Sequence, residues 1–131
     1  MPLQRWVAPA PQTFAGRVVG NGHCVPFVQA ASGIGHTSTW KRGDKVRGGD
    51  WVTGTVIATF HDQGHYENDT SGRSHAAILI AAQSDGLLVW DQWVGQPVHQ
   101  RVIRYRGGEG SNHVNDGDRF RVVETMVATE A

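Results

Sequence analysis

The sequence predicts an α+β domain in which one N-terminal helix packs on an antiparallel β-meander of about five strands. Helical spacing of apolar residues occurs once, early in the chain, whereas strand-like segments follow one another through its second half. The 17 glycines and the charged fraction of 18% are typical of a turn-rich, strand-heavy protein. A length of 131 residues suffices for a core of its own, so we assign residues 1–131 to a single domain.

The helix is predicted from Cys24 to about Ser32. Before it, residues 1–13 contain three prolines and no periodicity, and they are expected to form an N-terminal arm. Pro26 suits a first helical turn, where its missing N–H costs little. Gly33 is typical of a residue that ends a helix.

Apolar runs bounded by turn residues predict five strands, at residues 55–60, 76–81, 87–93, 98–105 and 119–125. Asp85 and Gly86 form the dipeptide that tight hairpin turns prefer, between the second and third of these strands. Residues 36–51 are rich in glycine, aspartate and lysine, and they predict a loop with Trp40 as its anchor.

The charge balance excludes several classes of partner. Twelve basic residues match twelve acidic ones, so no electrostatic feature favours nucleic acid or an anionic membrane. The most basic stretch, with Arg101, Arg104 and Arg106, is interpreted as a solvated strand edge. No segment has the apolar length of a membrane span, and the first residues lack the features of a secretory signal. We therefore expect synthesis in a cytoplasm without a cleaved signal.

The chain contains one cysteine, Cys24, so it forms no internal disulfide. Its place at the predicted helix start brings it close to unpaired N–H groups and to the positive end of the helix dipole. Both of these stabilise a thiolate, which is the form that attacks acyl carbons. The alternative interpretation is a buried cysteine that only packs, as free cysteines often do.

A nucleophilic thiolate needs a base within hydrogen-bond reach and a third group that orients the base. His75 stands at the entrance of the most apolar strand, where it is either that base or a histidine that ends a loop. Asp91 follows four apolar residues, and a carboxylate placed there needs a partner. The 16-residue interval between the two suits a strand, a turn and a returning strand. Gln92 and Gln96 are alternatives for the orienting role, because an amide oxygen also accepts an imidazole N–H.

The order of these residues resembles the NlpC/CHAP branch of the papain-like cysteine amidohydrolases. The sequence GHCVPFV at residues 22–28 looks like the CHAP nucleophile segment, and SHAAI at residues 74–78 looks like its Gly-His-x-Ala-x strand. Between them, TWKRG at residues 39–43 and GTVIATF at residues 54–60 resemble the connecting segment of that family. The resemblance covers about half of the chain.

The resemblance implies a role for each candidate. Cys24 resembles the nucleophile, His75 the general base and acid, and Asp91 the residue that orients the histidine. Members of the family usually carry glutamine before the cysteine to help bind the oxyanion, whereas this chain carries His23. Its imidazole is expected to serve together with the backbone N–H of Cys24. Contacts with substrate are also expected from Trp40, Gln92 and Trp93.

A metal site is the competing interpretation of the polar loop after the first predicted strand. His61 and His65 have the spacing of a ligand pair on a helix, with Asp69 nearby, but Gly64 disfavours a helix there. We therefore predict neither a metal nor a cofactor.

Together with these residues, the resemblance implies a thiol amidase that cleaves an amide bond in the stem peptides of bacterial peptidoglycan. A single catalytic domain of this kind resembles the amidase effectors that type VI secretion injects into a rival's periplasm. The expected protein is a monomer that is made in a bacterial cytoplasm, and its expected partner is an immunity protein that blocks the cleft. Two alternatives remain. One is a thiol hydrolase or acyltransferase with a non-wall substrate; the other is a binding module in which Cys24, His75 and Asp91 lie apart.

Overall fold

The computed structural model of the protein describes residues 3–68 and 73–127. Among these residues the α-helix, α1, spans Cys24–Ser32 and confirms the predicted helix. It ends at Gly33, whose φ of 81° is left-handed and whose N–H donates to the carbonyl oxygen of Gln29 at 2.8 Å. Glycine adopts this conformation without the steric cost of a Cβ atom. No helix in the described part of the chain is long and apolar enough to span a membrane.

Within the described residues, seven strands form one antiparallel sheet. They are β1 (Leu3–Arg5), β2 (Lys41–Lys45), β3 (Val56–Thr59), β4 (Ala76–Ala82), β5 (Gly86–Trp93), β6 (Gln96–Arg104) and β7 (Phe120–Met126). Strands β3 to β6 follow one another as a meander, and β7 returns to pair with β3. Because Glu124 pairs with both Arg5 and Lys41, β1 and β2 lie on opposite edges of β7.

All five predicted strands occur, but a simple meander of about five strands is wrong in two respects. The last strand, β7, pairs with β3 and does not continue from β6. Two further strands lie where none was predicted, β1 within the expected arm and β2 within the expected loop. Both are largely exposed and carry no apolar alternation, so backbone pairing with β7 defines them rather than side-chain burial.

The sheet is buried on both faces, which explains its apolar central strands. Helix α1 covers one face with Phe27 and Val28. The opposite face encloses a cluster built largely from strand residues, including Ile57, Leu79, Val89, Ile103 and Phe120. Successive strand residues point to opposite faces, so all four residues of β3 are buried.

The start of α1, the start of β4 and the second half of β5 meet at one end of the sheet. Helix α1 packs against both β4 and β5. His75 immediately precedes β4, and Asp91 lies in β5 next to Trp90, which pairs with Ile78 of β4. Three segments that are distant in sequence thus bring a cysteine, a histidine and an aspartate to one place.

Candidate active site

Cys24 is the first residue of α1 and is half-buried. Two glycines shape the loop before it, because Gly20 and Gly22 have φ values of 59° and 88°. A Cβ atom at Gly20 would lie 2.7 Å from the Cβ atom of Pro26, so a side chain there would force this turn apart. The loop reverses tightly over the first turn of the helix and leaves the thiol at the helix start.

The amide of Gln92 holds this loop in place. Its Nε2 donates to the carbonyl oxygens of Val19 at 2.8 Å and His23 at 2.7 Å, and its Oε1 accepts the Val19 N–H at 2.9 Å. Both ends of the fully buried amide are therefore engaged with backbone. This placement does not match the substrate contact expected of Gln92, which instead fixes residues 19–23 against β5.

His75 is buried and held from two directions. Its backbone N–H donates to Thr59 Oγ1 at 3.0 Å, and its carbonyl oxygen accepts the Thr59 N–H at 3.0 Å. In the ring, Nε2 lies 2.8 Å from Asp91 Oδ2. The ring also interacts with the thiol of Cys24, for which Nδ1 is the remaining nitrogen. The structure thus brings together the three residues that the sequence singled out as nucleophile, base and orienting acid.

The carboxylate of Asp91 is completely buried among three nitrogen-bearing side chains. Its Oδ2 accepts hydrogen bonds from His75 Nε2 and Arg101 Nε, both at 2.8 Å. His99 Nε2 lies 3.2 Å from Oδ1, although the pair does not meet hydrogen-bond geometry. Strand register explains the cluster, because Asp91 pairs with His99, and Val89 on the same face pairs with Arg101.

Burial opposes the charged form of the cysteine, the histidine and the aspartate, but their mutual contacts outweigh it. Despite burial, hydrogen bonds to Asp91 and Cys24 raise the pKa of His75 to about 9. The hydrogen bonds and charges of His75 and Arg101 hold the pKa of Asp91 below its usual value against the effect of burial. His75 and the Ala76 N–H likewise lower the pKa of the Cys24 thiol against burial. The site therefore favours a thiolate beside an imidazolium.

Cys24 opens onto a surface cleft of about 380 Å³. The hydroxyl of Tyr66 lies 3.7 Å from Cys24 Sγ, and the Tyr66 ring packs on Trp40 with centroids 4.8 Å apart. His23 is exposed in the same cleft. The other lining residues are Asn21, Val25, Pro26, Gln29, His36, Thr37 and Asn68. This cleft gives an external chain direct access to the sulfur.

The two tryptophans expected to contact substrate occupy different environments. Trp40 is 3% exposed and donates its indole N–H to a backbone carbonyl oxygen at 3.1 Å, so it supports Tyr66 rather than contacting a ligand. Trp93 is 41% exposed and lies edge-on to His99, with ring centroids 5.0 Å apart. The Arg101 guanidinium carbon lies 5.0 Å from the Trp93 ring centroid. Trp93 therefore covers the buried carboxylate cluster and is not among the residues that line the cleft.

Tyr66, His99 and Arg101 are residues of the site that sequence reasoning missed. The interpretation of Arg101 as part of a solvated edge is wrong, because its side chain is 19% exposed and also donates to Asn115 Oδ1 at 3.0 Å. The short turn between β5 and β6 could have indicated that β6 passes Asp91, but the register shift between Asp91 and Trp93 decides that His99, and not Val98, lies opposite it. Tyr66 lies in a polar loop without periodicity, where no pattern marks it.

The described part of the chain contains no group of three side chains arranged to hold a metal ion. The rings of His61 and His65 stack with centroids 4.5 Å apart, and His61 Nδ1 accepts the Gln63 N–H at 3.1 Å. Asp69, the third residue of the metal interpretation, lies outside the described residues. The two histidines therefore shape the polar loop.

A thiol at a helix start, beside a histidine that is bonded to a buried carboxylate, is the arrangement from which thiol-dependent hydrolases are built. Comparison with known proteins points to an amidase. Residues 3–123 match the family described as Dae2, domesticated amidase effector 2. The chain belongs to this amidase effector family.

Individual relatives agree with that assignment. The chain is similar to the type VI secretion amidase effector 2 protein of Salmonella typhi, with 42% identity over 92 residues, which cover 66% of this chain and 68% of that protein. It is 39% identical over 122 residues to domesticated amidase effector 2 of Ixodes scapularis, covering 87% of this chain and 81% of the relative. The solved structure of type 6 secretion amidase effector 2 (Tae2) superposes with a TM-score of 0.80 at 30% identity, covering 95% of this chain and 98% of that one.

Proposed function

We propose that this protein is a papain-like cysteine amidase that hydrolyses an amide bond in the stem peptides of bacterial peptidoglycan. One observation carries the proposal, namely that Cys24, His75 and Asp91 form a connected and charge-paired unit whose thiol opens onto a surface cleft. The names of the relatives support amidase chemistry, and the resemblance to the NlpC/CHAP enzymes supports a thiol mechanism on wall peptides.

In the acylation step, the Cys24 thiolate attacks the carbonyl carbon of the scissile amide. The C=O electron pair moves onto oxygen and forms a tetrahedral oxyanion. When this intermediate collapses, the C–N bond breaks, and the His75 imidazolium gives its Nδ1 proton to the departing amine. The products of this step are a free amine and a thioester on Cys24. Because Asp91 occupies Nε2 of His75, Nδ1 is the nitrogen available for proton transfer.

In the deacylation step, neutral His75 removes a proton from a water molecule, whose oxygen attacks the thioester carbonyl carbon. Collapse of the second tetrahedral intermediate breaks the C–S bond and returns the electron pair to sulfur. The carboxylic acid leaves, and the thiolate–imidazolium pair is restored.

The oxyanion is held by donors at the start of α1. Within the described residues, the His23 side chain makes no capping hydrogen bond and no side chain accepts the Cys24 N–H, so this N–H can face a substrate oxygen. His23 is the side-chain donor implied by the resemblance. Tyr66 adds a hydroxyl group 3.7 Å from the sulfur, which makes it a second side-chain candidate for this role.

Arg101 and His99 act on the reaction through Asp91. The Arg101 hydrogen bond stabilises the carboxylate in its ionised form, and His99 approaches the other oxygen. An ionised and immobile Asp91 keeps the imidazole in the tautomer that directs Nδ1 to Cys24. Both residues are therefore positioning residues.

The biological setting proposed for this activity follows the relative named as a type VI secretion effector. The protein would act as a single-domain monomer in the periplasm of a target cell, where cross-linked stem peptides are accessible. A producing cell would need a partner that closes the cleft around Cys24, which is the role of an immunity protein.

The test is digestion of purified peptidoglycan sacculi, with the released fragments identified by mass spectrometry. The unchanged protein should produce one new pair of amine and carboxyl ends, and Cys24→Ala should produce none while keeping its melting temperature. Gln100→Ala, an exposed change on β6, is the matched control and should cleave normally. Intact sacculi after treatment with the unchanged protein, or cleavage that survives Cys24→Ala, would refute the proposal.

A further inference from the structure

We propose that a second pocket, beside the cleft, binds a free carboxylate of the stem peptide whose amide bond lies at Cys24. The inference rests on the function proposed above and extends it from the reaction to substrate recognition. This basic pocket has a volume of about 310 Å³, and its cationic lining residues are Arg42, Lys45, Arg119 and Arg121.

Strand pairing brings two of these cations face to face. Lys45 of β2 and Arg121 of β7 are register partners, and directly opposed like charges destabilise a sheet. Arg42 pairs with Val123, which lies two residues along β7 from Arg121 and therefore on the same face. The pocket concentrates positive charge at a cost in stability, and a bound anion would relieve that cost.

Among the described residues, the donors of the basic pocket are not paired with acidic side chains, although the charge of Lys45 acts on Asp118. In residues 3–68 and 73–127, none of its four cations forms a salt bridge. Arg42, Arg119 and Arg121 each donate to a backbone carbonyl oxygen at 3.2 to 3.3 Å. Arg119 Nε is also buried without a hydrogen-bond partner among the described residues. Guanidinium groups in this state favour a carboxylate, which accepts two parallel hydrogen bonds.

The acidic residues of the basic pocket do not cancel its charge. Asp118 is already matched, because Arg47 Nη1 lies 2.9 and 3.1 Å from its two carboxylate oxygens. It also accepts the Gly107 N–H at 2.8 Å. Asp62 and Glu109 are the other two acids, so four cations line the pocket against three carboxylates, one of which Arg47 already matches from outside it. A carboxylate entering the pocket therefore meets a net positive field.

The basic pocket lies on the same side of the sheet as Cys24. Arg121 pairs with Ala58, whose side chain packs in the core beneath α1. Phe60 lines the pocket, and its ring centroid is 6.3 Å from that of Tyr66, whose hydroxyl contacts the sulfur. An extended peptide advances about 3.4 Å per residue, so a span of a few residues would carry a substrate chain from Cys24 past Tyr66 and Phe60 to the pocket. Stem peptides carry free carboxylates within that span.

The experiment compares a synthetic stem peptide that has a free carboxylate with the same peptide as its carboxamide. Both are hydrolysed by the unchanged protein, by Arg42→Gln and by Lys45→Gln, each of which replaces an exposed side chain. Arg104→Gln is the control, because Arg104 is an exposed arginine paired with Asp85 outside the pocket. Amidation should lower kcat/KM of the unchanged protein and the control about fivefold to tenfold through KM. For the two pocket variants, the KM values of the two peptides should be almost equal, and kcat should be retained.

Binding measured in a Cys24→Ala background separates this inference from the proposed reaction. There, the free-carboxylate peptide should bind about fivefold to tenfold more tightly than the carboxamide, and Arg42→Gln should remove the difference. If this difference in affinity appears although the unchanged protein hydrolyses neither peptide, the pocket inference is supported and the proposed reaction is refuted. If both peptides are hydrolysed but amidation affects every variant equally, the reaction stands and the pocket inference is refuted. The pocket inference would also be refuted if inorganic phosphate displaced both peptides while the protein bound the free-carboxylate peptide no more tightly than the carboxamide.

Discussion

At the scale of single residues, the site is organised around one buried negative charge. Asp91 has no contact with solvent, so its carboxylate depends entirely on the groups around it. His75 and Arg101 both donate hydrogen bonds to Oδ2. The carboxylate therefore stabilises a titratable base and a permanent cation at the same time. The sharing matters because Asp91 must stabilise a protonated His75 at Nε2 without raising the pKa of the ring so far that Nδ1 cannot release its proton.

The pH profile of kcat/KM should show its basic limb near pH 9. The pKa of His75 is raised to about 9, so the imidazolium that protonates the leaving amine persists through neutral pH and is lost as pH rises through that value. The pKa of Cys24 is lowered, so the acid limb should lie below the ordinary range of a thiol. Initial rates on a synthetic stem peptide measure both limbs, and a basic limb near the ordinary histidine value of about 6.5 would contradict this assignment.

Arg101→Met should reduce both stability and turnover. The substitution leaves a buried carboxylate short of its permanent counter-charge, which costs about 2 to 4 kcal/mol in the free energy of unfolding. It should lower kcat more than KM, and Arg101→Lys should recover part of the loss because it restores the charge without the Nε geometry. Urea denaturation and steady-state kinetics test these effects, with Arg104→Met as the exposed control. Unchanged kcat in Arg101→Met would show that Asp91 does not need this arginine.

The sequence revealed the catalytic candidates because each of them occupies a position where its residue type is unusual. A lone cysteine at a helix start, a histidine at the entrance of an apolar strand and an acid after four apolar residues all need an explanation. Arg101 and His99 lie in β6 among other polar residues, which is common in a strand with an exposed face, so neither residue stands out in the sequence. Only the register between β5 and β6 places them at Asp91, and that register contains an irregularity that sequence spacing does not disclose.

At the scale of elements, the loop before α1 and the strand β5 form one functional unit. Gln92 joins them through three hydrogen bonds, and it lies next to Asp91 on the opposite face of the same strand. One strand therefore orients the base with one residue and positions the nucleophile with the next. Displacement of β5 would disturb both groups together.

Gln92→Leu should uncouple the loop from β5. The change leaves backbone groups of Val19 and His23 without their partners, and we expect a loss of about 2 to 4 kcal/mol together with most of the activity. Gln96→Leu is the matched control, because that amide donates only to the carbonyl oxygen of its neighbour Pro97 in the described structure. Thermal unfolding and hydrolysis assays measure the two effects. A Gln92→Leu protein with full activity would show that the loop holds its own shape.

Prediction of helices and strands succeeded where their side chains are buried. It failed where a strand is defined only by backbone hydrogen bonds to its neighbour. Helix α1 and strands β3 to β7 carry apolar patterns, and their bounds were close to those observed. Strand β2 reads Lys-Arg-Gly-Asp-Lys and has almost no buried side chain, so no pattern of apolar residues could reveal it. It exists because β7 offers a free edge.

At the scale of the whole molecule, the site is assembled by the sheet rather than by any local segment. Helix α1 brings the thiol, β4 the histidine and β5 the acid, so every part of the site depends on the same packed core. The proposed activity also depends on place, because stem peptides are cross-linked outside the inner membrane.

Directing the protein to different compartments tests that dependence. Fused to a periplasmic export signal in a Gram-negative host, it should cause lysis, and the same protein kept in the cytoplasm should be harmless. The Cys24→Ala version is the control and should be tolerated in both compartments at equal expression. Culture density and microscopy record the outcome. Equal toxicity in both compartments, or lysis by the Cys24→Ala version, would contradict a wall substrate.

The position of β7 also determines when the enzyme can form during its synthesis. Among the described residues this strand comes last in sequence, yet it lies between β3 on one edge and β2 on the other. It also supplies Phe120, which packs on His75, and Thr125, which bonds Trp6 across 119 residues. A ribosome-bound chain that has not yet released β7 has an open sheet edge, and its His75 lacks the contact with Phe120. The sheet is therefore completed only after β7 has emerged from the ribosome. Until then we expect the nascent protein to lack activity and to need protection from aggregation at its open edge.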